Sequence, residues 1–326
     1  MKAIRVHHAG GPEVLQIEEL PRPRPRPGWV LVRVKAFGLN RSELYTRQGF
    51  SPTVQFPRVL GIECVGTVED APETDFAPGQ TVAALMGEMG RAYDGGYAEY
   101  TLVPARQVIP LDTHLPWETL AALPETFLTA WGSLIDAMEI ESGQTLLLRG
   151  ATSSLGLAAL SLAREKGVRV IATTRNPAKA PLLQQNGAEH VVIDTGQIAE
   201  HVRGIVANGV NGVLELVGVT TLRDSLKAVA TRGIVCNSGI LGNSWILDRF
   251  EPLVDIPSTV RLTVYTSDNI VAASASAALQ HIVEGVEQKR YNAHIDRIFH
   301  FHQIVEAHRY MEENRATGKL VVSVDL

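Results

Sequence analysis

The sequence predicts an α/β chain in two parts, a β-rich unit followed by a doubly wound parallel sheet, and three observations carry that prediction. Up to about residue 117 the text is short strand-like runs separated by Pro and Gly. From about residue 118 strands and helices alternate, the grammar of a parallel sheet with crossovers. The chain also has 326 residues, 45% of them apolar, which is more than one hydrophobic core usually serves.

The elements follow in order. MKAIRV is a short strand ended by the Gly10 and Gly11 turn, and PRPRPRPG (21–28) is read as an extended connection into the strand VLVRVKAF, not as a tract for a partner. CVGTVED (64–70) is another strand, and this part carries little helical signal. Six mostly apolar strands then succeed one another: TLLLR (145–149), VRVIATT (168–174), HVVID (190–194), GVLELV (212–217), GIVCNSG (233–239) and RLTVYT (261–266). Six such strands with crossovers make a Rossmann sheet. A helix through 275–288, the strand-like HIDRIFHF, an amphipathic helix and the strand KLVVSV rejoin the first part. The expected division is therefore 1–117 with 270–326, and 118–269.

Composition excludes several classes. A net charge of −5 with interspersed signs offers no basic footprint for nucleic acid. Two cysteines, Cys64 and Cys236, make neither a disulfide framework nor a Cys-rich metal site. MKAIRVHHAGG lacks the apolar core of a signal peptide and no run reaches membrane-spanning length, so a cytoplasmic protein is expected.

The strongest chemical signal lies in LLLRGATSSLGLAALSLAREKG, where a strand stops at Arg149, a turn of small residues follows, and Leu155 opens a helix closed by Gly167. Free N–H groups and the positive dipole end at such a helix start accept a pyrophosphate. The expected contacts are Ala151, Thr152, Ser153, Ser154, Leu155 and Gly156. Against G-x-G-x-x-G the positions read Ala151, Ser153 and Gly156, so only the last glycine is present, and the bland alternative is an ordinary crossover turn. The second strand ends in Thr174 and Arg175, with Lys179 one turn later, where an NAD-type site needs a carboxylate. A hydroxyl and two cations favour NADP(H); the bland reading is solvated charge. Asp194 ends the third strand and is not the missing acid.

With these residues in view, the sequence resembles the zinc-free quinone oxidoreductases of the medium-chain dehydrogenase/reductase superfamily along essentially its whole length. The resemblance rests on VLVRVKAFGLNRSELYTRQG, FPRVLGIECVGTV, GGYAEYTLVPA, LPETFLTAWGSL, GATSSLG and IVEAHRYMEENRATGKLVVSV, in that order. It implies a GroES-like domain completed by the C-terminal tail, an inserted cofactor domain, an active site in the cleft, and a homodimer that pairs the edges of the cofactor-domain sheets. It implies that Thr129 touches the nicotinamide–ribose side, that Asn40, Ser238 and Gly239 flank the nicotinamide, that the backbone passes the cofactor at Gly218, and that Lys319 sits near it. From the residues alone, Thr129 reads equally as a helix cap and Asn40 as a turn residue.

Departures from the zinc alcohol dehydrogenases bear on mechanism. Asn40 stands where those relatives carry Cys, Ile62 stands where they carry His, and the run MGEMGRAYDGGYAEY replaces their Cys-rich lobe. The neighbours Glu63 and Cys64, and the pair His300 and His302 on one strand face, are read as packing or surface residues, not as ligands. Without a Lewis acid, an electron-poor acceptor is expected, a quinone or an α,β-unsaturated carbonyl, reduced by hydride from NADPH. Tyr45 is the candidate donor to the developing oxyanion, and it reads equally as an aromatic shaping the pocket. The alternatives are a reductase of larger enals, enones or acyl thioesters, a zinc-free alcohol dehydrogenase-like enzyme, and a non-enzymatic nucleotide-binding protein with an RNA-binding or structural role.

Overall fold

The structure, a computed structural model, describes residues 1–270 and 272–324. The chain splits into two compact units, Met1–Leu128 with Ser267–Leu326, and Thr129–Thr266. The division thus falls after Leu128 and before Ser267, where the change of sequence grammar suggests 117 and 270.

The first unit begins with β1 (Lys2–Val6), β2 (Leu15–Glu19), β3 (Trp29–Gly38), α1 (Arg41–Arg47), β4 (Arg58–Val59), β5 (Glu63–Asp70), β6 (Thr81–Leu85), β7 (Tyr100–Pro104), β8 (Val108–Pro110), α2 (Trp117–Ala121) and α3 (Pro124–Trp131). Helix α1 is one the sequence, with its little helical signal in this stretch, does not announce. Asn40 is its N-cap, and the Glu43 carboxylate accepts the Asn40 N–H at 3.0 Å, one arm of a capping box. The proline tract has no regular structure but is not loose: the guanidinium of Arg22 lies 4.2 Å from the Tyr100 ring centroid and that of Arg26 lies 3.4 Å from Trp29.

The second unit alternates β9 (Thr145–Arg149), α4 (Ser154–Glu165), β10 (Arg169–Thr174), α5 (Ala180–Gln185), β11 (His190–Ile193), α6 (Ala199–Ile205), β12 (Val210–Glu215), α7 (Val219–Ala228), β13 (Val229–Asn237), α8 (Pro252–Asp255) and β14 (Arg261–Val264). The strand order is β11-β10-β9-β12-β13-β14, every pair parallel, so the order reverses direction between β9 and β12. Every residue of β9 is buried, as a strand covered on both faces requires. Leu147, Ile171, Val213 and Val235 on four adjacent strands share one core with Val202, Leu222 and Leu226 of the helices.

The chain returns to the first unit through α9 (Ala272–Glu287), β15 (Ile295–His300), α10 (Ile304–Glu312) and β16 (Lys319–Ser323). Strand β16 pairs antiparallel with β3 and parallel with β15, so the last strand enters the sheet β15-β16-β3-β5-β6-β8 beside the first long one. Strands β2, β1 and β4 form a separate antiparallel sheet. Phe37, Tyr97, Phe299, Phe301 and Leu320 lie in the core of the first unit, Phe37 stacked on Tyr97 with centroids 4.5 Å apart. His302 lies beyond the end of β15, not on it, and its ring stacks on His300 at 5.7 Å. No helix among the described residues is long and apolar enough to cross a membrane.

Candidate active site

In the first unit the site is a closed set of buried polar groups. Lys319 is 1% exposed, and its ammonium donates to Glu63 Oε1 at 2.7 Å and to Asn40 Oδ1 at 2.6 Å. Asn40 Nδ2 donates to the same Glu63 oxygen at 2.9 Å, and Glu63 Oε2 accepts the Glu125 N–H at 2.8 Å. Local sequence makes this possible. Asn40 is held by the cap of α1, Glu63 opens β5, Lys319 opens β16, and Gly38 at the end of β3 leaves room that a Cβ would take from both Glu63 and Lys319.

A second carboxylate, Glu43, completes the set and was not singled out from sequence. Its two oxygens accept the N–H groups of Asn40 and Ile62, each at 3.0 Å, so it ties the start of α1 to the bend that leads into Glu63. Burial pushes its pKa up to about 7, against the opposing pull of the Ile62 N–H and Lys319. The legible signal was Asn40 followed by a glutamate three residues on. Tyr45 lies on α1, half-buried against the core; burial raises its phenol and the Arg41 guanidinium opposes that, so it is protonated at neutral pH. Cys64 is buried on β5 and its thiol is pushed up by burial and by the neighbouring Glu63, the state of a packing residue.

In the second unit the turn after β9 is built for close approach. Ser153, not Leu155, starts helix α4: it is the N-cap, and its Oγ accepts the Gly156 N–H at 3.0 Å. A Cβ on Gly156 would stand 2.6 Å from the Gly150 carbonyl oxygen, so only glycine lets the helix pack on the turn. Gly150, at φ +86°, anchors the turn to the next strand through its N–H to Thr173 Oγ1 at 3.1 Å. Thr174 ends β10 and is buried, with its Oγ1 accepting the Asn176 N–H at 3.1 Å, while Arg175 beside it is exposed. Lys179 closes a short 3-10 turn capped by Asn176.

The remaining expected contacts cluster on the same unit. Gly218, at φ +101°, precedes α7, and a Cβ there would lie 2.9 Å from the Gly239 oxygen; a Cβ on Gly239 would collide with the Leu216 backbone, so these two loops pass each other with no side chain between them. Ser238 Oγ lies 2.9 Å from Ser133 Oγ, which donates to the Thr129 carbonyl at 2.7 Å, so Ser133 joins two positions that the sequence left far apart. Thr129 is in the body of α3, and Asn40 is the helix cap, the reverse of their bland readings.

Arg149 was passed over as the last residue of a strand. It is fully buried, its Nε and Nη2 bind both oxygens of Asp194 at 2.8 and 2.9 Å, and its Nη1 reaches Asp224 at 2.8 Å and Ser225 at 3.1 Å. Glu215 accepts from Ser225 Oγ at 2.5 Å and from the N–H groups of Val217 and Gly218. The signal was an arginine inside an otherwise wholly apolar run, which has to find acids when it is buried.

Residues 26–113 match the alcohol dehydrogenase GroES-like domain family, and residues 186–322 match the zinc-binding dehydrogenase family. A quinone oxidoreductase of Pongo abelii is 28% identical over 330 residues, with 99% of this chain and 97% of that one covered. One of Mus musculus is 30% identical over 253 residues, 74% of each. The chain belongs to the medium-chain dehydrogenase/reductase superfamily, in its quinone oxidoreductase branch. It is an oxidoreductase of that superfamily. Among solved structures, a mycobacterial protein complexed with NADPH superposes on this medium-chain dehydrogenase/reductase with a TM-score of 0.88 at 27% identity, covering 99% of this chain and 100% of that one.

The superfamily includes zinc enzymes, and this member's residues do not fit the metal. Where the resemblance places two ligands of the zinc alcohol dehydrogenases this chain has Asn40 and Ile62, and the carboxylate of Glu63 next to Ile62 already faces the Lys319 ammonium 2.7 Å away. An amide, an aliphatic side chain and a paired carboxylate are not a zinc donor set. Among the described residues no three His, Cys, Asp or Glu side chains converge on a point.

Proposed function

We propose that this oxidoreductase binds NADPH and, without zinc, reduces a quinone or an α,β-unsaturated carbonyl. The observation that carries the cofactor reading is the turn from Gly150 to Gly156, where the helix packs on bare backbone, beside a β10 that ends in Thr174 and Arg175 in place of a carboxylate. The mycobacterial neighbour with NADPH supports the same reading. Ala151 to Gly156 would hold the pyrophosphate, Thr174, Arg175 and Lys179 the 2′-phosphate, and Thr129, Gly218, Ser238 and Gly239 the nicotinamide side.

When bound, the cofactor supplies the hydride. The protein's part is orientation and charge. Asn40 is fixed by its bonds to Glu63 and Lys319, so its amide keeps one orientation, and Lys319 brings a positive charge that offsets Glu63. Tyr45, kept protonated by burial, would donate to the oxygen of the acceptor as charge develops there. An acceptor that is already electron-poor needs no Lewis acid, which is why quinones and enones suit a site with this donor set, and the quinone oxidoreductases among its relatives agree.

The decisive test is calorimetric titration of metal-analysed protein with NADPH and NADH, repeated on Arg175→Ala. A preference for NADPH that falls by about 1.5–3 kcal/mol in the variant, the size of a charge-assisted hydrogen bond, is expected. Equal or tighter binding of NADH, or stoichiometric zinc in the purified protein, would sink the assignment.

We also propose that two copies pair through β14, the edge strand of the second unit's sheet. Val264 on that strand is 65% exposed and Leu253 and Val254 on α8 are exposed as well, so one side of this unit offers apolar side chains together with an open strand edge.

A further inference from the structure

A carboxylate stands beside the end of β10 without being on it. Asp194 follows β11, its N–H donates to the Thr174 carbonyl at 2.9 Å, and its Oδ2 lies 3.4 Å from Thr173 Oγ1. It therefore sits beside the Thr174–Arg175 edge, one residue past Ile193, the register partner of Thr174. An uncompensated negative charge in this position would repel a phosphate on the adenosine ribose as an acid on β10 does.

It is compensated to an unusual degree. Arg149 holds both carboxylate oxygens in a bidentate fork, and the Gly196 N–H donates to Oδ1 at 2.8 Å. Burial acts to raise the Asp194 pKa, yet the Arg149 contacts outweigh it and the carboxyl sits below its ordinary range. The same guanidinium serves Asp224, which also accepts the N–H groups of Ile198 and Ala199, and lies near Glu215. Three acids thus face one arginine.

We propose that Arg149 is a specificity-determining residue: by neutralising Asp194 from beneath the sheet edge, it keeps the Thr174–Arg175 corner open to a 2′-phosphate. It acts through Asp194 and is a positioning and charge-setting residue, not one that touches the cofactor. The proposal rests on the NADPH reading above. Its signature is a change in discrimination between two ligands that differ only in the phosphate, because damage to the turn or the sheet weakens both alike.

The test measures dissociation constants of NADPH and NADH, and of 2′,5′-ADP and 5′-AMP, by calorimetry on four proteins: the unaltered chain, Arg149→Gln, Asp194→Asn, and the double variant. If the unaltered chain does not prefer the 2′-phosphorylated ligands, the cofactor reading fails and this proposal falls with it. Given that preference, Arg149→Gln is expected to cut it roughly ten-fold or more through the unmasked charge, and the double variant to restore it. Asp194→Asn keeps Arg149 paired with Asp224 and is the variant to read where Arg149→Gln does not fold. It is expected to raise the preference several-fold, since one negative charge beside the corner is then removed while the guanidinium stays. A preference unchanged in Asp194→Asn, or a loss in Arg149→Gln that the double variant does not repair, overturns the proposal while leaving the NADPH reading intact.

Discussion

Asn40, Glu63 and Lys319 share three polar contacts inside a volume from which water is nearly excluded, and each group is the answer to another's need. Glu63 without Lys319 would be a bare buried anion, and Lys319 without Glu63 a bare buried cation; breaking such a pair typically costs about 3–5 kcal/mol. A positioning role for Asn40 therefore comes with a stability role for its partners, and the two have to be separated by choosing residues outside the set. Tyr45 is such a residue. Tyr45→Phe removes one hydroxyl and keeps the ring against the core, so NADPH affinity should stay level while turnover drops by about ten-fold or more in a stopped-flow assay with a quinone. Unchanged turnover would leave Tyr45 as a wall of the pocket. At this scale sequence reading found residues whose type is unusual for their place, such as Asn40, and missed Glu43 and Arg149. Both are charged residues in sequence surroundings that look ordinary, and their meaning depends on acids and N–H groups that only the fold brings near.

Among the elements, all six strands of the second unit were legible, because a strand buried on both faces has to be apolar throughout, although β12 and β13 begin earlier, at Val210 and Val229, than the runs starting at 212 and 233 suggest. Helix α1 was not legible in the same way. Its seven residues sit within a Pro- and Gly-punctuated β region, and only the cap announces it. The start of α4 was misplaced for a related reason: the serine that caps it looks like one more small residue of the turn. The helix's hold on that turn gives a direct prediction. In Gly156→Val the new side chain meets the carbonyl of Gly150 and the backbone of Ala151, so α4 has to move away from the turn. The variant should lose roughly 1–3 kcal/mol of stability in a urea titration. It should also bind NADPH and NADH equally less well, in contrast to Arg175→Ala; undiminished affinity would remove the turn from the binding site.

Across the molecule, pH acts on two buried groups with opposite sign. His308, in contact with Tyr97 and fully buried, has a pKa lowered by burial, then by the nearby Arg47, from 6.5 to about 3. The folded chain takes up this proton later than the unfolded one, so the stability it contributes above pH 6.5 is lost as pH falls towards 3. Glu43, raised from 4.5 to about 7, holds its proton longer when folded, so its contribution is complete below pH 4.5 and is lost as pH rises through 7. Between 4.5 and 6.5 the two slopes oppose each other. Calorimetric melting across pH 3–8 should therefore show His308→Gln with a shallower acid limb and Glu43→Gln without the decline between 6.5 and 7; parallel curves would contradict both assignments. The assembly has its own test. Val264→Lys places a charge on the open edge of β14 and should convert a dimer to a monomer in sedimentation, with the melting temperature of the second unit little changed, whereas a monomeric unaltered protein would dispose of edge pairing.

The ion pair between Glu63 and Lys319 spans 256 positions of sequence, and the whole second unit is made in that interval. During synthesis the β-rich segment thus leaves the ribosome with two glutamates in its future interior and no ammonium to meet them. The strand that brings the ammonium is also the one that β3 and β15 await as a neighbour. The inserted unit, 129–266, has been made in full before that lysine is added. Order of assembly is in this way written into where one lysine sits along the chain: the half that carries Asn40 and Tyr45 cannot pair its buried glutamate with an ammonium until β16 has been made.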